Sequence, residues 1–167
     1  MMAILTGIIT GTKANDTTTD IRVVNTITPP ASVEQKCMII DGQGLLWMGT
    51  NSGVKSYDGY RFTSYRSDAK SPDLLPNNSI LSLAEDKNGD MWIGTRNGLV
   101  CMDKRHGMFA TYHLPGEQSR DIYALFVSCD SILWIGTDNG VTTFNPKSRN
   151  FQPLGSKGIM LVGDDGK

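Results

Sequence analysis

The stretch Asp86-Lys-Asn-Gly89-Asp-Met-Trp92-Ile-Gly94-Thr95-Arg-Asn97-Gly98 constrains the fold most, because it occurs three times. The earlier copy is Asp41-Gly-Gln-Gly44-Leu-Leu-Trp47-Met-Gly49-Thr50-Asn-Ser-Gly53, and the later one is Ser128-Cys-Asp-Ser131-Ile-Leu-Trp134-Ile-Gly136-Thr137-Asp-Asn139-Gly140. The copies contain all three tryptophans of the chain, Trp47, Trp92 and Trp134, spaced 45 and 42 residues apart. A period of this size belongs to arrays of four-stranded β units such as propeller blades.

Each copy divides into four short strands. In the middle copy these are Ile80 to Glu85, Asp90 to Thr95, Leu99 to Asp103 and Met108 to Leu114. Asn97-Gly98 and Asn139-Gly140 supply the positive φ that a tight hairpin needs, while Asp86 and Gly89 bracket a turn that Asp41 and Gly44 repeat. Met91-Trp92-Ile93 is apolar on both faces, which suits a strand held between neighbouring sheets, and Gly94 lets another backbone come close. The third and fourth strands recur as Val54 to Tyr57 with Phe62 to Tyr65, and as Val141 to Phe144 with Phe151 to Leu154. The connector Ser67 to Ser79 carries Pro72, Pro76 and Asn77-Asn78 and reads as a surface loop. The expected class is all-β: about three four-stranded propeller blades and the start of a fourth, truncated, from about residue 157.

Ahead of the first repeat, residues 1–20 open on a short apolar run and then turn polar, which gives a flexible tail or the remnant of a signal peptide, with Thr12 and Ala14 small enough for a cleavage site. The run is too short to span a bilayer, and nothing later is apolar enough to do so. Ile21 to Ile27 reads as a strand ended by Pro29-Pro30, placed to complete the last blade of a closed circle. The partial propeller is therefore expected over residues 21–167.

Composition excludes several functions. A hydrophobic content of 39%, a charged content of 20% and 18 glycines fit a turn-rich globular β protein and not a disordered one. A net charge of −1 provides no basic face for nucleic acid or an anionic membrane. Cys37, Cys101 and Cys129 show no C-x-x-C spacing and read as small buried hydrophobes on strands. His106, in a turn, and His113, on a strand, lack the clustering that zinc requires. Asp86, Asn88 and Asp90 imitate the start of a calcium loop, yet no acidic residue closes it and the other copies lack the pattern. No metal and no cofactor are expected. No nucleophile, base and orienting group stand at recognisable spacing, so no catalytic residue is assigned.

The pattern D-x-x-G-x-x-W-x-G-T-x-x-G-[LV]-x-x-[YF]-[DN] resembles the two-component regulator propeller repeat. Ser56-Tyr57-Asp58-Gly59-Tyr60-Arg61-Phe62 looks like the opening repeat of such proteins. The third copy departs at Ser128 and Ser131, the first at Ser52, and Met102 stands where an aromatic is usual. The resemblance covers residues 33–167, about three blades, against roughly four to eight in closed propellers. It implies the N-terminal part of the periplasmic sensor region of a Bacteroides-type hybrid two-component histidine kinase, with an oligosaccharide as ligand. In that family a β-sandwich, a membrane helix, a kinase core, a receiver and a DNA-binding domain follow the propellers, so kinase activity and membrane attachment reside outside this chain. The alternatives are a stand-alone binding module that completes its propeller with a second copy of itself, and a propeller enzyme acting on polysaccharides.

In a propeller the second-to-third-strand turns and the blade connectors meet at one end, around the central channel. There the ligand-binding candidates are Asn51, Arg96, Asn97, Arg120, Asp138 and Asn139, all able to hydrogen-bond a polar ligand, although turn residues are polar in any case. Trp47, Gly49, Thr50, Trp92, Gly94, Thr95, Trp134, Gly136 and Thr137 are expected to serve structure.

Overall fold

The computed structural model describes residues 5–9, 22–27, 33–68, 70–71, 74–115 and 121–154. The chain divides into two units, Met1–Val33 and Glu34–Lys167. In the first, β1 (Leu5–Ile9) pairs antiparallel with β2 (Arg22–Ile27); β1 falls within the stretch expected as a flexible tail or the remnant of a signal peptide. The strand expected over residues 21–27 pairs within this two-stranded sheet.

The described residues of the second unit form three four-stranded antiparallel sheets in simple meander order. The first comprises β3 (Gln35–Ile40), β4 (Leu46–Thr50), β5 (Gly53–Tyr57) and β6 (Phe62–Tyr65). The second comprises β7 (Ile80–Glu85), β8 (Met91–Thr95), β9 (Gly98–Asp103) and β10 (Met108–Tyr112). The third comprises β11 (Ala124–Val127), β12 (Leu133–Thr137), β13 (Gly140–Asn145) and β14 (Asn150–Pro153). These are propeller blades, and β3, β7 and β11 are the strands that neighbour one another from blade to blade. The fourth copy expected from about residue 157 lies outside the described residues.

Alternation along β8 explains the stacking. Successive side chains of a strand point to opposite faces. Met91 and Ile93 accordingly enter the core shared with Trp47 and Val54 of the first blade, whereas Trp92 enters the core shared with Leu133, Ile135 and Phe144 of the third. Strand β9 repeats the division, with Val100 and Met102 on one side and Leu99 and Cys101 on the other. The connector between the first two blades is more than a surface loop, because Leu75 is buried in the first of these cores. Where a blade face has no partner among the described residues, apolar side chains stay exposed: Met38 and Ile40 alternate with the half-buried Cys37 and Ile39 along β3.

Two glycines answer specific geometric demands. A Cβ on Gly94 would lie 2.7 Å from Ile122 Cγ2 and 2.8 Å from Ile122 O and would collide with the Ser82 hydroxyl, so only glycine lets the third blade approach here. Gly89 holds φ at 83° in the turn after β7; the third blade places Ser131, at φ 65°, in the corresponding turn.

Candidate functional site

The motif threonine builds the turn that follows it. Thr95 Oγ1 donates to Gly98 O at 2.9 Å and accepts the Asn97 N–H at 3.0 Å. Thr50 does the same with Gly53 O and the Ser52 N–H, and Thr137 with Gly140 O and the Asn139 N–H. Each blade thus presents a rigid two-residue turn at the same end.

The blade connectors come to that end as well. Gly53 N and Arg96 N donate to Asn78 O at 2.7 Å and Ser79 O at 3.1 Å, and Asn97 Nδ2 to Pro76 O at 3.4 Å. The next connector is fixed by Ile122 N on Thr95 O at 3.1 Å and Tyr123 N on Gly136 O at 2.9 Å. Residues 121–123 therefore run between the turn Arg96–Asn97 and the turn Asp138–Asn139.

The sequence candidates are placed unequally by this geometry. Arg96, Asp138 and Asn139 are exposed at the turn tips. Asn51 is exposed but engaged, since its side-chain oxygen accepts the Glu34 N–H at 3.2 Å. Asn97 is half-buried, with its amide committed to Pro76 O. Arg120 lies outside the described residues. Sequence reasoning missed Tyr123 and Asp121. Tyr123 is 54% exposed, its hydroxyl donates to Asp121 Oδ2 at 3.2 Å, and its pKa is raised by that bond first and by the charges of Asp121 and Asp138, with Arg96 opposing. Nothing in the repeat pattern signals them, because they stand outside the motif.

At the opposite end of the blades the motif aspartates anchor the tryptophans. Asp41 Oδ2 accepts the Trp47 indole N–H at 2.8 Å and Asp86 Oδ2 that of Trp92 at 3.0 Å, while the Oδ1 atoms accept backbone N–H groups of the turns. Lys104, from the turn after β9, reaches back to Asp41 Oδ2 at 2.7 Å and Glu85 Oε1 at 2.6 Å, and its ammonium lies 5.8 Å from the Trp47 ring centre. Glu85 Oε2 accepts the Gly42 N–H at 2.7 Å, which closes a network between the first and second blades. Pro146 occupies the corresponding turn of the third blade, and a cleft of about 400 Å³ opens at that end between Asp86, Lys87, Phe126, Ser128 and Cys129.

Cys129 is exposed in a turn, which corrects the expectation that all three cysteines are buried on strands. His113 follows the end of β10 instead of lying within it. Among the described residues, no group of His, Cys, Asp and Glu is placed to hold a metal ion, and no helix is long and apolar enough to cross a membrane.

The fold and this site define a protein built of β-propeller blades. The family model of the two-component regulator propeller matches residues 74–97, from the first connector to the turn after β8. Residues 74–97 thus carry a two-component regulator propeller repeat, and the sequence pattern around Trp92 recurs, with substitutions, in the first and third blades. Over 87 residues, 47% of the chain, it is 36% identical to histidine kinase P4 of Formosa agariphila, and it spans only 6% of that protein's length. Its fold is similar to an extracellular domain assigned to a hybrid two-component system of B. thetaiotaomicron (TM-score 0.64, 22% identity, 72% of this chain and 18% of that one). It is equally similar to virginiamycin B lyase of Staphylococcus aureus (TM-score 0.65, 18% identity, 80% of this chain and 45% of that one). At these identities the structural likenesses establish the blade architecture alone.

Proposed function

We propose that this chain is the N-terminal part of the ligand-sensing propeller of a hybrid two-component sensor kinase, on the periplasmic side of the membrane, and that its ligand is an oligosaccharide. The chain itself supplies recognition, and phosphoryl transfer belongs to other domains. The observation that carries the reading is the two-component regulator repeat at residues 74–97, which ends at the solvent-facing turn Arg96–Asn97. The 36% identity to a histidine kinase supports it. Recognition is assigned to the end of the blades that bears Arg96, Asp138 and Asn139, with Asn51 and Asn97 positioning the turns. The reading frame is expected to continue beyond Lys167 into a membrane helix and a kinase core; a frame without a kinase core overturns the reading.

A second reading is a binding module that completes its propeller with another copy of the chain. The exposure of Met38 (49%) and Ile40 (71%) on the open face of β3 favours it, because an apolar sheet face gains by being covered. A sedimentation experiment returning a monomer at all concentrations counts against it.

A further inference from the structure

The register of the three blades singles out one position. Cys37, Ser82 and Ala124 pair with the motif glycines Gly49, Gly94 and Gly136, so the residues just before them, Lys36, Leu81 and Tyr123, are equivalent. All three stand where the innermost strand begins, at the end of the blades to which the turns and connectors come. Lys36 is exposed and Leu81 half-buried. Only the third blade places an aromatic ring here, and more than half of that ring's residue faces solvent.

Tyr123 belongs to neither of the two buried cores. Among the described residues its ring meets no other aromatic, whereas Trp92, Tyr112, Phe144 and Phe151 form a continuous aromatic core below it. Its backbone is held by Gly136 O and its hydroxyl by Asp121, so the ring is presented in a set orientation. Ile122 N donates to Thr95 O and Tyr123 N to Gly136 O, so Tyr123 stands between the turn that bears the exposed Arg96 and the turn that bears the exposed Asp138. The surroundings discriminate between ligands. A polyanion meets the carboxylates of Asp121 and Asp138, and a polycation meets the guanidinium of Arg96. A neutral polyhydroxylated ring suits both, because each hydroxyl donates to a carboxylate or accepts from a guanidinium, while the apolar face of the sugar covers the tyrosine ring.

We propose that Tyr123 is the stacking platform of a subsite for a neutral pyranose unit, with Arg96 and Asp138 bonding its hydroxyls across the boundary between the second and third blades. The proposal rests on the ligand-sensing reading and narrows it to one sugar class and one place.

The test is isothermal titration of the full chain with a panel of neutral hexaoses (cellohexaose, laminarihexaose, mannohexaose and maltohexaose), with polygalacturonate as the anionic comparison. At least one neutral hexaose is expected to bind. Tyr123→Ala is expected to weaken binding by about tenfold or more and Tyr123→Phe by less than about threefold, since the ring and not the hydroxyl does the stacking. Tyr60→Ala, at the opposite end of the first blade, is expected to leave binding unchanged. Near-ultraviolet circular dichroism verifies that each variant is folded. Failure of every neutral hexaose to bind, binding of polygalacturonate alone, or binding indifferent to Tyr123→Ala each overturns the proposal. The sensor reading is judged separately, by whether the reading frame encodes a kinase core, so the two can fail independently.

Discussion

Lys104 of the second blade holds Asp41 of the first at 2.7 Å, with the aspartate side chain fully buried and the lysine side chain only 10% exposed. The same ammonium bonds Glu85, so a single cation compensates two carboxylates at the blade boundary. Breaking a buried pair leaves uncompensated charge in a poorly solvated place, which costs far more than an exposed pair contributes. Lys104→Met is expected to destabilise the second unit by about 3 kcal/mol. Urea unfolding followed by tryptophan fluorescence checks this, and a loss under about 1 kcal/mol would show that the network is incidental.

The same network sets a pH window. Burial pushes the Asp41 carboxyl up, but the bonds from Lys104, Trp47 and the turn backbone more than offset this and hold it below the usual carboxylate range. Burial lowers the Lys104 ammonium, and its two carboxylates more than restore it, so its pKa is raised. A depressed carboxylate contributes stability above its unfolded pKa, lost as pH falls through the folded value. A raised ammonium contributes below its unfolded pKa, lost as pH rises through the folded value. The link is therefore expected to contribute fully between about pH 4 and pH 10. Unfolding free energies of the wild type and Lys104→Met across that range should run parallel, and should converge below it as Asp41 is protonated.

Ser131 occupies a left-handed conformation, φ 65°, that Gly44 and Gly89 fill in the other blades. A side chain is strained there and glycine is not. Ser131→Gly is expected to stabilise the protein by about 0.5 to 1 kcal/mol, read as a rise of a few degrees in Tm.

Gly94→Ala is expected to be severely destabilising, by about 3 kcal/mol or more, because the new methyl meets Ile122 backbone oxygen at 2.8 Å and backbone cannot yield as a flexible side chain does. Gly59→Ala, where a Cβ has open space, is the comparison, and its cost reflects φ alone. Equal losses in the two variants would refute the close-packing role.

The three thiols are expected to differ in reactivity. Burial pushes Cys37 up to about 11 and Cys101 up to about 12, and the carboxylates of Asp90, Asp86 and Asp103 add to the second. The thiolate is the reactive form, so both should stay inert in the folded chain at neutral pH, while the exposed Cys129 reacts. Mass spectrometry after brief alkylation should find one modified residue, and modification of all three at the same rate would contradict the burial.

Repeat spacing, the Asn-Gly and Asp-x-x-Gly turns and the doubly apolar Met91-Trp92-Ile93 made the blades legible from sequence, because each is a local device whose partners lie within a few residues. The expected strand ends fall within one or two residues of those of β5 to β10, β13 and β14 for the same reason. The sequence marks the aspartate of the motif only as a turn residue; that its second carboxylate oxygen takes the indole N–H six residues on depends on how turn and strand fold against each other. Leu75 was hidden in a Pro-rich connector whose composition says loop and whose packing says core.

The amino-acid sequence by itself determined the unit: turn, buried tryptophan strand, close-packing glycine, threonine-clamped hairpin. Only the tertiary structure decided which units touch and how. Lys104 and Asp41 are 63 residues apart and carry no shared pattern, and Tyr123, Arg96 and Asp138 come from a connector and two hairpins. Local periodicity specifies which face of a strand is buried, whereas the pairing of charges across a blade boundary depends on the stacking of whole sheets, a relation between distant residues that no short stretch encodes.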